Sequence, residues 1–221
     1  MMGSRVPQAP SAVLSLDLAP HWFHLPELGS DVVEWAAGTA YAAWQLRVEQ
    51  GASEEIVVPG AGEELATGLI GIVQSLAPTL EAGAQAAVWI PLPEHGQVAA
   101  VLVAQMGPRS ADRAPGTFAQ GVIALLGDES AESERLVVSA IEGETPVGPA
   151  EGVHVIESDF QPGLGVAVVE ERVTWGIFPE TNEEMIEVVM FAHTVGTFED
   201  LPAESLGVLA GLRVLTDGPT A

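Results

Sequence analysis

A chain of 221 residues that is 48% hydrophobic, with a mean hydropathy of +0.30, can bury a sizeable core and is not globally disordered. Seven Arg, no Lys and 31 Asp plus Glu give a formal charge of −24, which repels nucleic-acid phosphate and anionic lipid and sets both aside as partners. The absence of cysteine excludes disulfides, thiolate catalysis and zinc–sulfur sites together.

The charge leaves room for a basic protein partner or a cation. No apolar run approaches the ~18 residues that span a bilayer. Residues 1–18 carry one Arg but no apolar signal core, so a cytoplasmic location is expected. Residues 1–10 read as a flexible leader, 11–216 as one domain and 217–221 as a tail.

In chain order, "AVLSLDL" (12–18) sets Leu14, Leu16 and Leu18 on one face and predicts a half-buried strand. "HWFHLP" (21–26) reads as an irregular connection anchored by Trp22 and Phe23. Asp31 and Glu34 stand at capping-box spacing before "VVEWAAGTAYAAWQLR", which has helical periodicity. The ending "WQLRVEQ" also alternates like a strand, so the helix boundary is open there. A second helix starts near Glu63 and Glu64, where the helix dipole favours anions, and runs through Leu65, Leu69, Ile72 and Leu76.

Strands follow. "QAAVWIPL" (85–92) and "QVAAVLVAQM" (97–106) flank "PEHG", a hairpin signal. Both are apolar on both faces, so Val101, Leu102 and Val103 are all expected to be buried in a central strand. A short helix is read at "FAQGVIALL" (118–126). Four more strands are read at 135–142, 152–160, 164–175 and 184–194, with "FPETNEE" (178–184) closing a hairpin. "TFEDLPAESLGVLAGLRVL" (197–215) reads as a C-terminal helix with Thr197 and Asp200 as its capping pair. Helices, consecutive strands on short turns and a closing helix predict an α+β fold. Its mainly antiparallel sheet has about six strands, covered by helices.

A Trp soon after a first short strand, two early helices, paired hairpins and "TFEDLPAESLGVLAGLRVL" resemble a group of uncharacterised actinobacterial α+β proteins. More distantly, the layout over residues 12–215 is similar to PsbP-like domains of the LpqN kind. That resemblance implies an antiparallel sheet sandwiched between helices and an interaction role rather than catalysis. It carries no functional residue across, and the lipoprotein Cys of the LpqN kind is missing here.

The candidate chemistry is sparse. His21 and His24 would suit zinc if His95, His154 or His193 supplied a third ligand, but the Pro-bounded segment does not hold i and i+3 on one face. Anchoring loop residues is the plainer reading. Acidic pairs occur at Glu54/Glu55, Glu63/Glu64, Glu170/Glu171, Glu183/Glu184 and Glu199/Asp200. Neighbours on a strand point to opposite faces, which is unsuited to a facing acid–base pair. Only Glu170/Glu171 interrupts an apolar strand, and a bulge or an edge is expected there.

"DESAESE" (128–134) lacks the Gly hinge of a calcium loop. Residues 59–62, "PGAG", precede a helix but are followed by two Glu and no Lys, against a phosphate loop. Ser53, Ser75, Ser139 and Ser158 sit in no nucleophile elbow. Trp89 and Trp175 lie inside strand patterns and read as core.

No catalytic, cofactor-binding or metal residue is therefore assigned, and no cofactor is expected. The leading expectation is a non-catalytic acidic accessory protein of a cytoplasmic, secretion-related or other multiprotein system. Two alternatives are an acidic immunity or inhibitor protein that neutralises a basic toxin or nuclease, and a His-dependent metal hydrolase.

Overall fold

The computed structural model describes residues 12–27, 29–51, 60–128, 133–161, 166–180 and 183–216. Alternation builds the first strand, β1 (Ala12–Leu16): Leu14 and Leu16 are buried while Val13 faces solvent. It pairs antiparallel with the last strand, β9 (Leu212–Thr216), as a two-stranded sheet. The C-terminal helix, α4 (Leu201–Leu209), is thus shorter than its periodicity predicts, and "LRVL" belongs to a strand. Gly211 allows the chain to pass close against Asp17, whose backbone atoms a Cβ there would meet. Asp200 alone caps α4, accepting from Ala203 N; the Thr197 hydroxyl instead donates to Thr194 O.

The main sheet has seven strands in the order β2-β3-β4-β8-β7-β6-β5, every neighbouring pair antiparallel. "WFH" forms β2 (Trp22–His24) rather than an irregular connection, because its backbone finds hydrogen-bond partners on β3 (Gln85–Trp89). β3 turns through a short 3₁₀ segment, Pro93–His95, into β4 (Ala100–Pro108). The chain then crosses the sheet through α3 (Phe118–Asp128) to the far edge. From there it returns as a meander: β5 (Ser133–Thr145), β6 (Gly148–Gln161), β7 (Val166–Ile177) and β8 (Glu184–Ala192), which closes on β4.

Two helices, α1 (Val32–Glu49) and α2 (Ala61–Leu76), precede β3. Asp31 caps α1 by accepting from Val33 N and Glu34 N, and the helix runs on through the "WQLRVE" segment as far as Glu49. α1 and α2 pack against Val88, Ile90 and Val101 on one face of the sheet, and α3 covers Val153 and Val155 on the same face. The other face, with Leu102, Val188, Met190 and Trp175, is covered by β1, β9 and α4.

Val101 and Leu102 are fully buried, as a strand covered on both sides requires. Val103 is only half-buried, against expectation. The helices over its face sit at the two ends of the sheet and leave Val103 and its pairing partner Val189 partly open.

Trp175 fastens α4 to the sheet. Its indole N–H donates to Ser205 Oγ at 2.8 Å, and its ring lies over Gly152, where a Cβ would stand 2.7 Å from the indole. Gly176 makes the same kind of room for Phe118 of α3 on the opposite face.

The leader, the tail, Glu54/Glu55 and most of the 128–134 acidic run lie outside the described residues. Among the described residues, no helix is long and apolar enough to cross a membrane.

Candidate functional site

Three features stand out from the packed body: an exposed edge strand, a buried imidazole–carboxylate pair and a hollow at one end of the sheet.

β5 is the last strand of the sheet, and nothing among the described residues pairs with its outer side. It is long, and on it Leu136, Val137 and Val138 are 53%, 39% and 39% exposed. The register slips between Arg135 and Val137, so Leu136 is the extra residue of a bulge.

The neighbouring strands outrun the rest of the sheet. β7 pairs with β6 from Val166 onward but with β8 only from Glu171. The ends of β5, β6 and β7 therefore form a three-stranded arm beyond the covered body. Natural edge strands are blunted by charged side chains, Pro or bulges; here the bulge at Leu136 leaves the apolar run exposed. This chain has no Lys, and the charges on β5 are mainly Glu134, Glu142 and Glu144, all exposed.

Glu171 is the one charged residue among the described residues that is buried, at 6% exposure. Its Oε1 lies 2.8 Å from His154 Nε2. No bulge interrupts β7 at Glu170/Glu171, since its register with β6 is continuous through both, but β8 pairs only from Glu171 onward, so the β8 side of the strand becomes an edge at Glu170. Alternation turns Glu171 to the face that carries Val173 and Trp175, where His154 of the next strand supplies the partner a buried carboxylate needs. Ser139 of β5 stands directly opposite His154, but no hydrogen bond joins the two hydroxyl and imidazole groups into a relay.

The five histidines do not converge. His21 has a left-handed backbone (φ 71°) just before β2, and its Nε2 lies 2.7 Å from the Gln50 side-chain amide, which donates to it. His24 is exposed at the end of β2. His154 is held by Glu171. Among the described residues, no group of three or more His, Asp or Glu is placed to hold a metal ion.

His95 and His193 do come together, a juxtaposition their separation in sequence conceals. They line a hollow of about 450 Å³ at the end of β4 and β8, with Trp89 and Leu92 among its apolar walls. The turn that carries His95 is clamped. Arg47 of α1 donates through Nε and a terminal nitrogen to Glu94 Oε1 at 3.0 and 2.9 Å, and Gly96 (φ 67°) abuts α2 too closely for a Cβ. Burial by itself would raise the Glu94 carboxyl. The hydrogen bonds from Arg47 and from its own backbone, with the Arg47 and His95 charges, outweigh burial and hold it below the usual carboxylate range. A larger hollow of about 720 Å³ between the β2–β3 end and the end of α2 has His24, Glu27, Glu81 and Gln85 as its polar lining.

Five of the described arginines are engaged within the molecule by contacts to carboxylates or carbonyls. Arg47, Arg113 and Arg172 form ion pairs with Glu94, Glu187 and Glu157. Arg109 donates to the Pro179 and Glu184 carbonyls, and Arg213 to those of Ala210 and Leu212. With 31 Asp and Glu against seven Arg, carboxylates far outnumber the cations available to pair with them. No protein-family model matches the chain, and no curated protein matches it.

Proposed function

We propose that this chain is a cytoplasmic acidic interaction protein that takes a strand from a basic partner along β5, as an accessory component of a multiprotein assembly. The observation that carries the reading is the exposed apolar run Leu136–Val138 on an edge strand whose outer side pairs with nothing among the described residues. Such an edge offers a row of backbone N–H and C=O groups to an incoming strand, and alternate side chains supply selectivity.

Charge decides between occupants. A second copy would bring together two chains of −24 each and set the glutamates of one β5 against those of the other. A strand flanked by Lys or Arg meets the opposite field and associates faster for it. The same charge argument supports a narrower reading, an inhibitor of a basic toxin or nuclease, which the identity of the partner separates from the first.

A photo-crosslinking residue placed at Val138, compared with one at Val33 of α1 (65% exposed), tests the proposal. Adducts with basic proteins from position 138 alone are expected. Equal adducts from both positions, or only self-adducts from 138, refute it.

A further inference from the structure

We infer that the hollow between His95 and His193 is a binding site for a small, uncharged heteroaromatic molecule. Its volume of about 450 Å³ falls within the range of small-molecule sites. Trp89, Pro91, Leu92 and Val98 give it apolar walls suited to a flat ring.

The walls are fixed in advance. Trp89 is stacked on Phe198, with ring centroids 4.6 Å apart, and Phe191 meets the His193 ring edge to face at 5.5 Å. Thr197 donates to Thr194 O at 2.6 Å, which ties the loop after His193, while the Arg47–Glu94 clamp holds the turn that carries His95. Groups already immobilised lose little further entropy when a ligand arrives.

The polar lining settles the charge of the ligand. His95, Gln97, His193 and Thr194 can each both donate and accept hydrogen bonds, and Thr197, whose hydroxyl already donates to Thr194 O, can accept one. No Arg, Asp or Glu lines the hollow, so an ionised ligand would lose hydration there without a charge partner. An anion would also approach against the field of a chain of −24. A neutral ring bearing its own donor and acceptor satisfies the imidazoles, the amide and the hydroxyls together.

Titration of the protein with 7-azaindole, followed through the Trp89 indole N–H resonance, tests the site, with indole-3-carboxylate and tryptamine as charged counterparts. Saturable binding of 7-azaindole is expected, about ten-fold or more tighter than either counterpart. His95→Ala and His193→Ala should each weaken it about three- to ten-fold. Both residues are exposed, and circular dichroism checks that the variants stay folded. No saturable shift, equal binding of a charged counterpart, or indifference to both substitutions would overturn the proposal.

Discussion

β4 and β5 are strands of one sheet, each carrying a continuous apolar run (Ala100–Ala104 and Leu136–Val138), and they meet opposite fates. β4 lies between β3 and β8 and under helices on one face and β1, β9 and α4 on the other, so Val101 and Leu102 see no solvent. β5 has a neighbour on one side only, and Leu136, Val137 and Val138 stay open. Apolar composition makes a strand; neighbours make a core. A strand built like a core strand but left at an edge is either an aggregation hazard or an interface, and the proposed reading takes it as an interface.

The comparison is broken or sharpened first by truncation. Leu102→Ala should cost about 2–5 kcal/mol, because the close-packed residues of its core face cannot collapse fully into the space. Val138→Ala should cost about 0.5 kcal/mol or less. Denaturant titration of both variants measures the gap, and equal losses would mean that β5 is as well packed as β4.

The buried pair marks the border between body and arm. Glu171→Ala leaves the His154 Nε2 without its partner and should cost about 1–3 kcal/mol. Glu170→Ala, one residue along on the other face and partly exposed, should cost less than half as much. A reversed order would contradict the assignment of Glu171 as the inward carboxylate.

At the hollow, Arg47→Ala should cost about 1–3 kcal/mol at neutral pH. The Glu94 carboxyl is held low in the folded state. Its contribution is therefore present above the ordinary carboxylate pKa and is lost as pH falls through the lower folded value. The difference between wild type and variant should close below about pH 4. A difference that widens on acidification would show that Arg47 acts through something other than Glu94.

Much of the fold is legible in the sequence because local rules govern it. The β1 alternation, the Asp31 cap, the acidic start of α2 and the hairpins all show in short windows. What escaped depends on partners far along the chain. "WFH" became a strand because β3 lay beside it, and "LRVL" became β9 because β1 did. The Glu171–His154 pair had a local trace, since each polar residue interrupts an apolar strand. Their meeting depends on the β6–β7 register, which the two sequences do not state separately. His95 and His193 leave no such trace, and only the closing of β8 on β4 brings them together.

The strand-accepting edge is the central claim, and paired affinity capture from native lysate tests it most directly. Wild type is compared with Val138→Lys, a change at an exposed site that both blunts the edge and opposes a basic partner. At low salt, wild type should retain one or more strongly basic proteins that Val138→Lys does not, and moderate salt should release them through screening. Retention of the same proteins by Val138→Lys, or no basic protein retained by wild type, would contradict the account.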